Sequence, residues 1–276
     1  MVFVIAEIGI NHNGSLNLAK KLIKMAKDCG CDAVKFQKRD VSVCIPSWKC
    51  IDMRETPWGR LSYIEYKKKL EFGQEEFDVI DDYCKSLGID WFASAWDINS
   101  LNFLKKYNLK YNKVASAMLT NIPLITEIAK ERKFTFVSTG MSTMRDIEKA
   151  VNIFREYDCP FALMHCVGTY PAENSDLNLR MIVTLKQRFK CPVGYSDHSR
   201  GVLAPSLAVA LGACAIEKHI TLDRTMFGTD QANSLEKHGL EIMVRDVRLV
   251  HLMLGDGIKK ILREEELKLR DLKYWN

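Results

Sequence analysis

The sequence predicts one parallel (β/α)8 TIM barrel. Three observations carry that expectation. Short β-branched or aromatic runs alternate strictly with amphipathic helical runs, eight of each. The 276 residues suit a single barrel. The turn after the first strand, GINHNG (9–14), has no GxGxxG pattern, which argues against a doubly wound sheet built around a dinucleotide turn.

The chain enters the fold on a strand, VFVIAEIGI (2–10). A helix follows over 15–30, with Ser15 as N-cap and Gly30 just past its end. AVKFQK (33–38) is the second strand. The stretch 39–72 reads as a long irregular loop, and its length, with Trp48 and Trp58, predicts a lid over the catalytic face. A helix over 73–88 leads to the strand DWFASAW (90–96), and a short helix near 99–107 leads to YNKVASA (111–117). The pattern then repeats: helix 121–132, strand 134–140, helix 143–158, strand 161–168, helix 177–189, strand 191–197. An apolar helix over 202–213, the strand CAIEKHITL (214–222) and a helix over 239–254 complete it. The barrel domain is expected over 1–257, with 258–276 a charged tail or docking segment and no second domain.

Composition narrows the function classes. Hydrophobic residues make up 47% and charged residues 27%, which describes a globular chain, and no apolar run reaches membrane-spanning length. The N-terminus has neither a basic region nor a cleavage site, so no signal peptide is expected. Nine scattered cysteines form no disulfide framework and predict a reducing, cytoplasmic setting. The net charge of +5 is modest. The Lys-rich pieces YKKKL (66–70) and IKKILR (258–263) read as solvated helix faces, so no nucleic-acid partner is expected.

Barrels carry their active sites at the C-terminal ends of the strands. There this sequence places polar groups on every strand: Glu7 with Asn11, Lys35 with Gln37, Ser94, Lys113 with Ser116, Ser138, His165 with Tyr170, Ser196 with His198, and Glu217 with His219. Charged residues are rarely buried without partners, so the set points to a site. Lys35 and Lys113, inside apolar strands, call for an anionic ligand, a phosphate or a carboxylate. Ser116, Ser138 and Ser196 are short donors that could complete a phosphate cradle. His198 and His219 lie on consecutive strands, where two imidazoles can converge on one divalent metal such as Mn2+, Zn2+ or Fe2+ and leave positions open for a substrate oxygen. Glu7 and Glu217 are available as acid, base or hydroxyl anchor.

Six motifs in register, AEIGINHNG (6–14), DAVKFQK (32–38), STGM (138–141), HCVGTYP (165–171), GYSDHS (194–199) and IEKHIT (216–221), resemble the sialic acid synthase (N-acetylneuraminate synthase) family over about residues 3–257. The resemblance implies a (β/α)8 barrel that condenses phosphoenolpyruvate with N-acetylmannosamine or a related or phosphorylated sugar. It implies a divalent metal, typically Mn2+, on His198 and His219. Phosphoenolpyruvate contacts would fall to Lys35, Lys113, Ser116, Ser138 and Ser196, and sugar contacts to Glu7, Tyr170 and Asp230, with Asn11 beside them. Glu7, Glu217 and His165 are the expected catalytic groups.

The sequence departs from the family pattern. Ala117 and Met118 stand where members commonly carry a glutamate, Gly168 stands where Asn or Ser is frequent, and the antifreeze-like C-terminal domain of many members is not expected here. A homodimer is expected, through the last helix and the aromatic tail KYWN. Three other readings stay open on the residues: a Schiff-base aldolase using Lys35 or Lys113, a barrel synthase acting on a sugar phosphate, and a non-catalytic barrel subunit.

Overall fold

The computed structural model describes residues 2–275. Strand β1 (Phe3–Gly9) leads into helix α1 (Leu16–Asp28), whose first turn is closed by the Ser15 hydroxyl accepting from the Leu18 amide. Strand β2 (Ala33–Lys38) follows. The stretch after it, expected as an irregular lid, is largely ordered: one-turn helices α2 (Val41–Cys44) and α3 (Ser47–Cys50), a hairpin of β3 (Met53–Thr56) and β4 (Gly59–Ser62), and helix α4 (Tyr63–Leu70). A capping box of Ser62 and Glu65 starts α4.

The regular alternation then resumes with α5 (Gln74–Leu87), β5 (Asp90–Ala95), α6 (Ile98–Leu104), β6 (Tyr111–Val114) and α7 (Ile122–Lys130). Next come β7 (Phe134–Ser138), α8 (Met144–Glu156), β8 (Phe161–Cys166), α9 (Met181–Phe189), β9 (Val193–Asp197), α10 (Leu203–Ala210), β10 (Ala215–His219) and α11 (Lys237–Met253). The expected tail holds a further helix, α12 (Arg263–Leu272). Among the described residues no helix is long and apolar enough to cross a membrane.

The strands close in the order β1-β10-β9-β8-β7-β6-β5-β2, all parallel, with β2 pairing back to β1. This is the expected (β/α)8 barrel. Side chains alternate inward and outward along each strand, and that parity decides what the site receives. The inward floor is aromatic. Phe3 on β1 meets Tyr111 on β6 at 5.2 Å between ring centroids, and Phe92 and Phe136 fill in at 5.8 Å from each other. Gly194 is required above this floor, because a Cβ there would sit 2.5 Å from the Met164 sulfur and 2.7 Å from the Ala215 carbonyl oxygen.

The outward faces pack on the helices. There Lys218 and Asp197 form a buried ion pair at 2.6 Å, to which the Tyr195 hydroxyl also donates. Asp197, the last residue of the seventh barrel strand, therefore ties β9 to β10 and, through the Ser199 amide, to the loop that follows β9.

Candidate active site

Above the aromatic floor, the inward positions of the barrel strands turn from rings to charges. Lys35 Nζ lies 2.7 Å from Glu7 Oε2 and 3.8 Å from Glu217 Oε1, and Lys113 Nζ lies 3.5 Å from Glu217 Oε1. Ser138 accepts from Lys113, and Ser196 donates to Glu217 at 3.1 Å. Gln37 donates to Glu7 at 3.0 Å and accepts from Arg39. Ser116 follows β6, and its hydroxyl accepts from the Gly140 amide at 3.2 Å. All of these open onto one cavity of about 270 Å³ at the C-terminal mouth of the barrel.

Burial sets the protonation states. It pushes the Glu7 carboxyl up to about 6 against the pull of Lys35, with the Glu217 charge adding to the rise. Burial also works against the Glu217 charge, but Lys113 and Lys35 outweigh it and hold that carboxyl at about 2. Burial likewise opposes the Lys35 ammonium, yet Glu217 and Glu7 keep it above the ordinary lysine value. Lys113, buried and close to Lys35, is displaced downward.

The second feature is a pair of imidazoles. The His198 and His219 ring centroids are 5.7 Å apart, and the Tyr170 ring stands edge-on to both at 5.1 and 5.0 Å. His198 Nδ1 lies 2.8 Å from the Val167 carbonyl oxygen, a contact that leaves Nε2 with the lone pair. His219 Nδ1 is buried without a hydrogen-bond partner, 3.8 Å from Asp230 Oδ2, and burial lowers this imidazole to about 3. A neutral, orphaned imidazole beside a second oriented one fits a divalent cation that keeps open positions. No cluster of three or more His, Cys, Asp or Glu side chains suited to a metal occurs among the described residues, so a cation here would complete its shell with water or substrate oxygen.

Of the residues expected from the sequence, Glu7, Lys35, Lys113, Ser116, Ser138, Ser196, Tyr170, His198, Glu217, His219 and Asp230 all line this cavity. Two expected residues do not. His165 has outward parity on β8: its ring stacks on Tyr195 and its Nε2 lies 2.7 Å from the Leu177 carbonyl oxygen. Cys166, the next residue, takes the inward position. Asn11 turns under the β1 loop, where its amide donates to the Ile220 carbonyl and to Ser234, both at 2.9 Å. Both residues are thus corrected from catalytic and sugar-contact expectations to packing and loop anchoring.

Arg39, Lys67, Trp96, Met141 and Thr229 line the cavity without having been expected there. Arg39 continues the inward parity of Lys35 and Gln37. Ala117 lines the wall where the family pattern would put a carboxylate.

Comparison with known proteins follows the same outline. Residues 22–259 match the NeuB family. The chain is 39% identical over 268 residues to N,N'-diacetyllegionaminic acid synthase of Campylobacter jejuni, covering 95% of this chain and 80% of the relative. It is 38% identical over 264 residues to human N-acetylneuraminate-9-phosphate synthase, covering 94% and 73%. The solved N-acetylneuraminic acid (sialic acid) synthetase of Leptospira borgpetersenii superposes with a TM-score of 0.86 at 36% identity, covering 100% of this chain and 93% of that one. The family that the six motifs resemble is thus the one to which whole-chain similarity leads, and the chain belongs to the NeuB family.

Proposed function

We propose that the protein condenses phosphoenolpyruvate with an open-chain N-acylhexosamine to give a sialic-acid-type nonulosonic acid and phosphate, with a divalent cation, Mn2+ foremost, held by His198 and His219. The observation that carries this reading is the placement, on one cavity floor, of two buried lysines and two buried glutamates beside a pair of imidazoles.

Lys113, Ser138 and Ser116 offer one cluster of donors for the phosphate of phosphoenolpyruvate, and Lys35 and Ser196 a second for its carboxylate. A divalent cation on the two imidazoles would polarise the acceptor's aldehyde oxygen. Fixing both substrates in one cavity removes much of the entropic barrier to joining them. The C3 of phosphoenolpyruvate attacks the aldehyde carbon, and positive charge develops at C2. Water adds at C2, and phosphate then leaves by cleavage of the C–O bond.

The two glutamates divide the remaining work. Glu217, held ionised, can offset the charge developing at C2. Glu7, near 6, can take a proton from the incoming water or return one to the new hydroxyl oxygen. Tyr170 and Asp230 stand next to the imidazoles, where the acceptor would lie.

A Schiff base on Lys35 is opposed by its charge state, which its two glutamates keep protonated and unreactive as a nucleophile; Lys113, displaced downward, is the lysine that borohydride trapping would probe. All nine cysteines are free, which suits the cytoplasm, where we place the reaction. Exposed Leu249, Leu252 and Met253 on α11 and Leu267 and Leu272 on α12 support a homodimer, which light scattering would test.

The deciding experiment measures phosphate release from phosphoenolpyruvate with a panel of N-acylhexosamines, with Mn2+ and after chelation. Release that needs both sugar and metal is expected. Trapping of a pyruvate adduct by borohydride, or turnover indifferent to chelation, would overturn the reading.

A further inference from the structure

The deep part of the cavity is balanced in charge, with two lysines against two glutamates. The wall contributed by the stretch between β2 and α5 is not. Glu71 there already serves Arg39, at 3.2 Å from its Nε, and Lys38 at 3.7 Å. Lys67 on α4 then adds a further cation, 7% exposed, which lines the cavity beside Arg39.

The Lys67 ammonium makes no hydrogen bond or ion pair among the described residues. Its Nζ has only aromatic faces close by, at 5.4 Å from the Tyr63 ring centroid and 5.5 Å from that of Tyr66. Arg54, over Tyr63 at 4.5 Å, adds further positive charge to the same rings. Glu71 and Asp230 act on Lys67 only at longer range. A lysine buried this far without a carboxylate partner is costly, and such a cost is offset when a ligand anion supplies the missing partner.

Asp230 relates this wall to the imidazoles. It lies 3.8 Å from His219 and within electrostatic reach of Lys67. An acceptor with its aldehyde at the imidazoles and its chain running past Asp230 brings its far end to Lys67. Arg39 stands alongside, its guanidinium stacked on Trp96 at 4.2 Å.

We propose that Lys67, with Arg39, forms an anion subsite for the far end of the acceptor, so that the preferred acceptor is a phosphorylated N-acylhexosamine. This rests on the condensation proposed above. Burial and the neighbouring guanidinium already depress the Lys67 ammonium to about 8, and an incoming dianion would restore its charge.

The test compares kcat/KM for N-acetylmannosamine and for its 6-phosphate, at saturating phosphoenolpyruvate, in wild type, Lys67→Gln, Lys67→Arg and Lys68→Gln. The wild type should favour the phosphorylated sugar. Lys67→Gln should lower that preference about ten- to a hundredfold, the worth of one charge-assisted hydrogen bond, with the change in KM. Lys67→Arg should retain most of it, and Lys68→Gln, on the exposed face of α4, should leave it unchanged. A wild type that prefers the neutral sugar, or a Lys67→Gln that loses both acceptors equally, overturns the proposal.

If the wild type condenses neither sugar, the proposed function fails on its own. Calorimetric titration with N-acetylmannosamine 6-phosphate then decides the subsite separately. Binding that Lys67→Gln weakens supports it, and absent or unaltered binding overturns it.

Discussion

Glu7, Lys35, Lys113 and Glu217 stand on four strands of one closed sheet, and each is held by the others. Arg39 and Lys67 line the same cavity from the stretch between β2 and α5, which packs as a small cluster: Tyr66 and Leu70 against Ile10 of the β1 loop, with Leu61 and Tyr63 beside them. The strand wall is neutral and internally paired. The outer wall carries excess positive charge and is clamped to the β1 loop, where His12 stacks on Phe72 at 4.0 Å. The two walls divide the labour. Rigid, self-compensated groups suit the bond-forming step, which needs fixed geometry. A wall with an uncompensated charge suits recognition, because its partner arrives with the substrate.

The largest effect is expected where the strand wall meets the imidazoles. His219→Ala should cut condensation about a thousandfold or more, since polarisation of the acceptor is worth several kcal/mol. It should also lose bound metal while phosphoenolpyruvate still binds, as seen by metal analysis and calorimetry. Full turnover with metal retained would break the division at its centre.

Lys113→Ala probes the strand wall's self-compensation. It leaves Glu217 with the Ser196 hydroxyl at 3.1 Å and the longer ion-pair contact to Lys35 at 3.8 Å. About 3 kcal/mol of stability in urea should be lost, at the low end for breaking a buried ion pair. Phosphoenolpyruvate affinity should fall as well, with metal content unchanged. Wild-type stability would mean that Lys35 alone suffices for Glu217.

Gly14→Ala attacks the clamp of the outer wall. Gly14 has φ +70°, and a Cβ there would lie 2.0 Å from the Lys69 carbonyl oxygen, so α4 must move. A cost of about 1–3 kcal/mol is expected, with acceptor KM raised and phosphoenolpyruvate affinity kept. Equal damage to both substrates would show that the two walls are mechanically one.

The strand wall was legible because parallel strands of a barrel announce themselves by alternation, and because a Lys or Glu inside an apolar run has few explanations. Parity was the part not read. With Lys35, Gln37, Ser138, Ser196 and Glu217 inward, His165 must face out and Cys166 in, yet the histidine is the chemically louder residue. The outer wall was missed for a different reason. YKKKL reads as a solvated lysine run, and Lys68 and Lys69 are indeed exposed. But Tyr63, Tyr66, Lys67 and Leu70 have the i, i+3, i+4, i+7 spacing of one helix face, which places Lys67 on the buried stripe. The identities in the run concealed what its spacing contained. Asn11 was misplaced because a turn after a strand has no period to say which side chain faces the site.

The smallest effect concerns the bolt between the walls. His12 is buried against Phe72 and accepts from the Gly14 amide at Nδ1, 3.1 Å away, so burial lowers its imidazole from 6.5 to about 3. In the folded chain it stays neutral through the range in which the unfolded chain takes up a proton. The unfolded state therefore binds more protons between about 6.5 and 3, and stability must fall as pH drops through that window. At pH 6 the loss from this one group is about 1 kcal/mol, growing as pH falls further. His219 shifts in the same direction and Glu7 in the opposite one, so the wild-type slope is a sum. The difference between wild type and His12→Asn isolates His12. Asn keeps an acceptor for the Gly14 amide but cannot titrate. Its urea-unfolding free energy should lie below wild type at pH 8, from the lost stacking on Phe72, and the gap should narrow on acidification. A gap independent of pH would mean that His12 titrates in the fold as it does in the unfolded chain, and a gap that widens on acidification that it is protonated in the fold, so that the clamp between the two walls is a charge rather than a ring.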